Sequence, residues 1–147
     1  MMRDTEDFDV REFLPYLLNQ AAEAASLEFQ NVYKDRYGML RNEWRVLFHL
    51  GIYGRMTASG IATRAQMHKT KISRAVQRLA ERRYLVRKRD RTDRRVEHLE
   101  LTALGRKVYA DLRTTAQEYD AALVEGLSKA DVVRLRTHLL QLAARRG

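Results

Sequence analysis

The chain contains no cysteine, a single proline, one tryptophan and only seven glycines among its 147 residues. Without cysteine there is no disulfide, no thiolate nucleophile, no cysteine-ligated zinc and no thiol-based oxidant sensor. One proline leaves long stretches free of the strongest helix breaker, and 45% hydrophobic with 32% charged residues describes a mostly helical folded chain rather than a disordered one. No apolar run approaches the ~18 to 20 residues of a membrane span. The N-terminus, Met1-Met2-Arg3-Asp4-Thr5-Glu6-Asp7, is acidic and lacks an apolar signal region, so a cytoplasmic protein without a membrane partner is expected. His49, His68, His98 and His138 are far apart and lack ligand spacing, and no spacing supports a nucleophile triad, a phosphate-cradling glycine loop or a paired-carboxylate site. No catalytic residue, metal or cofactor is therefore expected, and an enzyme is the least supported class.

One segment also lacks acid. Residues 64–95 carry thirteen Lys or Arg against three Asp or Glu, a charge of +10 on a chain whose total is +9. A solvated helix face normally mixes signs, whereas a one-sided cluster repels itself until something offsets the repulsion. A polyanion with regularly spaced phosphates is the natural partner.

The elements around this cluster follow a definite order. Thr57 opens a short helical run through Ala58, Ile61, Ala62 and Ala65, and a second run places Ile72, Val76 and Leu79 at helical spacing between Lys69, Lys71, Arg74, Arg78, Arg82 and Arg83. A strand Tyr84–Arg89, a polar turn Asp90–Arg95 and a return strand Val96–Leu101 come next, and Arg55–Thr57 offers a short third strand. Helix, turn, helix and hairpin make a winged helix-turn-helix.

Upstream, residues 9–35 repeat apolar side chains at helical spacing, with the regular part beginning near Pro15 because a proline ring is tolerated only in a first turn. Tyr37-Gly38 ends that pattern, and a second helix is expected over 42–53. Downstream, Thr102 caps a helix over 103–125, and Ser128 with Asp131 resembles a capping box that starts a final helix through Ala144. These flanking helices have more apolar surface than a module of about fifty residues covers, which predicts pairing with a second copy.

Three stretches together, Leu79-Ala80-Glu81-Arg82-Arg83-Tyr84-Leu85-Val86-Arg87, Asp90-Arg91-Thr92-Asp93-Arg94-Arg95 and Leu99-Glu100-Leu101-Thr102-Ala103-Leu104-Gly105-Arg106, resemble the MarR family of bacterial transcriptional regulators. The likeness extends to Glu43-Trp44-Arg45-Val46-Leu47 and to Ile61-Ala62. It implies a mostly α fold with a small β-wing, a single domain over 1–147 in which about 9–37 and 103–147 are dimerisation helices. About 42–102 would form the winged-helix lobe, with a recognition helix near 68–83 and a wing near 84–102. It further implies a homodimer that reads a pseudo-palindromic operator in double-stranded DNA and represses nearby genes until a small effector, often an aromatic acid, binds beside the dimerisation helices. Two positions depart from the family's pattern. Arg83 stands where glycine commonly ends the recognition helix, so a left-handed cap there costs about 1 kcal/mol. Leu40 stands where threonine often caps the second helix.

A recognition helix enters the major groove with its N-terminal half, making Lys69, Thr70, Lys71, Ser73, Arg74, Gln77 and Arg78 the candidates for DNA contact. Arg74 suits guanine and Gln77 adenine, while Lys69, Lys71 and Arg82 suit phosphate. In the wing, Asp93 is expected to orient a neighbouring arginine by an ion pair, leaving Arg94 or Arg95 to enter a narrow minor groove beside Arg91; the resemblance favours Arg94. Tyr16, Asn19, Gln20, Arg41, Arg45, His49 and Tyr109 would border the family's effector cavity, where a cation suits a carboxylated aromatic or a thioester conjugate. The competing reading of the basic face is an architectural or RNA-binding winged helix without sequence preference.

Overall fold

The computed structural model describes residues 7–145. Met1–Glu6, most of the acidic N-terminal segment, lie outside the described residues, as do Arg146 and Gly147. A short 3-10 turn, Val10–Glu12, precedes α1 (Leu14–Tyr37), α2 (Arg41–Tyr53), β1 (Met56–Thr57), α3 (Ala58–Ala65), α4 (Lys69–Glu81), β2 (Leu85–Arg89), β3 (Glu97–Leu101), α5 (Ala103–Leu123) and α6 (Lys129–Ala144). The described chain divides into two compact units, with the boundary inside α5 between Leu112 and Arg113.

In the first unit, α1 begins with Pro15 in its first turn, where the missing N–H belongs to no helical bond. It ends at Gly38, whose φ of +61° lets its amide reach the Lys34 carbonyl at 2.8 Å while Met39 bonds back to Tyr33. α2 has no oxygen in its capping side chain, Leu40. Half of the usual reciprocal cap survives, because Glu43 accepts from the Leu40 amide at 3.2 Å.

The core of this unit lies where α2, α3 and α4 meet the base of the sheet: Val46, Leu47, Leu50, Ile61, Ile72, Val76, Leu79, Leu85, Leu99 and Leu101 are all buried. Each aliphatic side chain so buried contributes roughly 1.5–3 kcal/mol over leaving it in water. Ile72, Ala75, Val76 and Leu79 form one stripe of α4, so the charged residues between them necessarily face out. Thr57 caps α3 by accepting from Gly60 at 3.0 Å. The sheet order is β1-β3-β2, all antiparallel, with Met56 opposite Leu99 and Leu85 opposite Leu101. The third strand is therefore present, shorter by one residue than Arg55–Thr57.

The junction of α4 and β2 is a Schellman motif: Tyr84 donates to Leu79 and Arg83 to Ala80, each at 2.9 Å, with Arg83 at φ +65°. A left-handed cap forms here without glycine.

The second unit holds the end of α5 and all of α6. Ser128 accepts from the Asp131 amide at 3.1 Å and so starts α6, and Arg136 ties α6 to Asp120 at 2.5 Å. No residue of α6 is buried; Val133, Leu135, Leu139, Leu140 and Leu142 all lie exposed.

Candidate nucleic-acid interface and the adjoining cleft

Lys69, Thr70, Lys71, Ser73, Arg74, Gln77 and Arg78 are all exposed on α4, opposite its buried stripe. The helix starts at His68 with no side-chain cap, so none of its first amides is taken by a capping oxygen. Two of the seven have partners of their own. Gln77 reaches Glu81 at 3.4 Å, and Arg78 Nε lies 2.7 Å from Glu43, whose side chain is only 2% exposed against 49% for Arg78. Glu43 thus fastens α2 to α4 through Arg78 while also capping α2. Arg82, expected on phosphate, is held elsewhere: its guanidinium donates to the carbonyls of Tyr37 and Gly38, the latter at 3.0 Å, locking the end of α1 to the end of α4.

The wing tip is a built turn. Asp90 accepts from the amides of Thr92 at 3.0 Å and Asp93 at 2.9 Å and from His98 Nε2 at 3.0 Å. Donation from the Asp93 amide, then from His98 and the Thr92 amide, holds the Asp90 carboxyl well below the usual carboxylate range. The Asp93 carboxylate in turn accepts from the Arg95 amide at 3.1 Å and, with both oxygens, from the Arg95 guanidinium at 3.0 and 3.2 Å. Arg89 donates to the Arg94 carbonyl at 2.7 Å, bracing the tip from β2. Lys88 pairs across the hairpin with Glu100 at 2.5 Å. Arg91 and Arg94 remain exposed at the tip, and neither side chain has an ion-pair partner among the described residues. The arginine that Asp93 orients is Arg95, which leaves Arg94 projecting.

The base of the wing explains the Leu-x-Leu-Thr-x-x-Gly spacing. Thr102 Oγ1 donates to the Arg83 carbonyl at 2.7 Å and accepts from the Gly105 amide at 2.9 Å, while its own amide donates to Tyr84 at 3.0 Å. One residue ties the end of the recognition helix, the start of β2 and the start of α5.

Beside the lobe is a cleft of about 350 Å³ lined by Ala22, Ser26, Phe29 and Tyr33 of α1 and by Arg41, Trp44 and Arg45 of α2. Phe29 meets Trp44 edge-on at 5.4 Å and Tyr33 stacks on it at 6.0 Å, so three aromatic rings form one wall. Burial pushes the Tyr33 hydroxyl up, opposed by the nearby Arg41 and Arg45. Of the seven residues expected at an effector cavity, Arg41 and Arg45 line this cleft. The other five do not. Tyr16, Asn19 and Gln20 are exposed on the first half of α1, His49 is buried with its ring donating to the Arg45 carbonyl at 2.7 Å, and Tyr109 packs its ring over Gly51. Sequence reading missed Phe29, Tyr33 and Trp44. The four-residue step from Phe29 to Tyr33, which puts both rings on one face of α1, was the available signal.

A basic recognition helix on a buried scaffold, followed by a braced basic hairpin, defines a winged helix-turn-helix DNA-binding protein. The MarR family model matches residues 37–96, the span from the end of α1 through the wing tip. The HTH-type transcriptional regulator FarR of Neisseria gonorrhoeae is 25% identical over 126 residues, 86% of each chain. Among solved structures, the MarR family transcriptional regulator SPO1453 of Silicibacter pomeroyi DSS-3 is 28% identical with a TM-score of 0.81, over 93% of this chain and 97% of that one. Bordetella bronchiseptica BpsR, whose DNA binding is regulated by 6-hydroxynicotinic acid, is 21% identical with a TM-score of 0.86, over 94% of this chain and 98% of its own. Over the matched segment, and at these identities, the chain is similar to the MarR family of transcriptional regulators. No helix among the described residues is long and apolar enough to cross a membrane.

Proposed function

We propose that the chain is a homodimeric repressor that binds a pseudo-palindromic operator and leaves it when a small aromatic acid enters the cleft between α1 and α2. The observation that carries the DNA half is the wing tip, where Asp93 pairs with Arg95 while Arg94 is exposed with no ion-pair partner among the described residues. An ordered turn that presents Arg94, with Arg91 beside it, fits insertion into a narrow minor groove better than diffuse attraction to phosphate. Lys69, Thr70, Lys71, Ser73, Arg74 and Gln77 then lie in the adjoining major groove, with Arg74 and Gln77 reading bases and Arg91 on the backbone. Arg78 serves first as the partner of Glu43, which fixes the attitude of α4.

Dimerisation is supported by apolar side chains that are exposed among the described residues: Phe13, Leu14, Leu17 and Leu18 at the start of α1, and Leu135, Leu139 and Leu140 on α6. The effector reading is supported by the cleft's chemistry, a three-ring wall beside two guanidinium groups, which suits a planar aromatic carboxylate. The regulation of BpsR by an aromatic acid agrees with that choice. Light scattering tests the dimer. Fluorescence anisotropy on a labelled operator, with and without millimolar 4-hydroxybenzoate, tests release. A monomer, or DNA affinity that no aromatic acid changes, would contradict the corresponding half.

A further inference from the structure

We propose that Arg45 is the latch between the cleft and the helix-turn-helix, and that an aromatic carboxylate acts by drawing its guanidinium away from α3. This rests on the effector reading above. Arg45 has two roles in one position. It lines the cleft from α2, and its Nη2 donates to the Ala65 carbonyl at 3.2 Å. Ala65 is the last residue of α3, so that oxygen is one of the orphan acceptors at the negative end of a helix, where a cation is favoured.

The turn that Arg45 braces is the one that sets α4. Gln66 follows in the left-handed region at φ +55°, uncommon for a residue with a side chain, and its amide and that of Met67 bond back to Thr63 and Ala62 at 3.4 and 3.0 Å. α4 begins three residues later, at Lys69. A carboxylate in the cleft offers the guanidinium two charged acceptors in place of one neutral carbonyl, and such charge-assisted bidentate pairs are about twice as strong. Engagement there strips α3 of its cap and loosens the turn that aims the recognition helix. Arg41 has no such reach. Its guanidinium bonds Ser26 at 2.6 Å and approaches Glu23 at 3.8 Å, both on α1. Arg41 belongs to capture, Arg45 to transmission.

The sole tryptophan of the chain, Trp44, lines the cleft, so its fluorescence reports occupancy separately from DNA release. The test is amide hydrogen exchange of the full-length protein at Gln66 and Met67, with 4-hydroxybenzoate as the probe. Without ligand, Arg45→Met should exchange about tenfold faster at these two amides, as expected for losing a charged helix cap. It should also bind DNA about fivefold more weakly. In the unaltered protein, ligand that saturates the Trp44 signal should produce the same acceleration, and in Arg45→Met it should produce none. Saturation of Trp44 with unchanged exchange at the turn overturns the latch while leaving the cleft as a binding site. A ligand-free Arg45→Met that exchanges like the parent overturns it whatever the ligand does. A Trp44 signal that no aromatic acid moves is the failure of the effector reading itself, and it removes the ligand's part of this proposal as well. Should Arg45→Met fail to fold, the ligand arm on the unaltered protein decides.

Discussion

Gly105 lies against the carbonyl of Tyr84 so closely that a Cβ at this position would sit 1.9 Å from the carbonyl oxygen and 2.8 Å from its carbon. The obstacle is backbone, which cannot rotate aside, and the same carbonyl already accepts from the Thr102 amide. Gly105→Ala should therefore destabilise the fold by about 3 kcal/mol, at the upper end of overpacking costs, because α5 must move away from the wing base. Urea unfolding of the variant beside Ala103→Ser, whose site on α5 is exposed, measures this. Equal midpoints would mean that the junction is soft.

Arg83 occupies a left-handed cap at φ +65° that the Schellman bonds of Tyr84 and Arg83 over-determine. Arg83→Gly relieves the Cβ clash, while glycine's freedom in the unfolded chain returns part of the gain. A net stabilisation of roughly 0.5–1 kcal/mol is expected. It should appear as a higher urea midpoint with an unchanged slope.

At the wing tip the two adjacent arginines should separate cleanly. Arg94→Ala should cost operator affinity about 1–3 kcal/mol and lower the salt dependence by about one counterion, with no change in melting temperature. Arg95→Ala should cost less affinity. Its guanidinium is already committed to Asp93, and its loss frees the turn rather than emptying the groove. Anisotropy titrations at two salt concentrations distinguish them, and equal losses would contradict the assigned roles.

Acid should loosen the same tip through Asp90. Its carboxyl is held below the usual range by the Asp93 amide, His98 and the Thr92 amide. A depressed carboxyl favours the folded state while ionised, so its contribution is present above the unfolded value near 3.8 and is lost as pH falls below that. Asp90→Asn should then melt below the parent at neutral pH, by a gap that narrows between about pH 4 and pH 2. A gap independent of pH would assign the turn's stability to shape alone.

Much of this fold was legible because its signals are local. Ile72, Val76 and Leu79 mark the buried stripe of α4, Thr57, Thr102 and Ser128 mark three helix starts, and Gly38 marks one end. The basic segment and the role of Asp93 could likewise be read from charge and spacing, down to a choice between two arginines. What stayed hidden depends on contacts distant in sequence. Nothing in the sequence around Arg82 says that its guanidinium seeks carbonyls 44 and 45 residues earlier, nor that Arg78 turns toward Glu43. The cleft was only half visible for the same reason. Helical periodicity shows that Phe29 and Tyr33 share a face, but not that α2 lays Trp44 against it. Tyr16, Asn19, Gln20, His49 and Tyr109 have suitable polarity, but none of them lines this cleft. Arg83 is the reverse case, a position whose residue argues against the cap that tertiary bonding imposes.

The most direct test of the account is selection of bound sequences from a random duplex pool by the purified protein, followed by titration of the winner against its scrambled version at physiological salt. One inverted repeat, with half-sites about one helical turn apart and affinity at least ~10³-fold above scrambled DNA, is the predicted result. Equal binding to every duplex would contradict it and leave the basic face as a grip on nucleic acid without sequence.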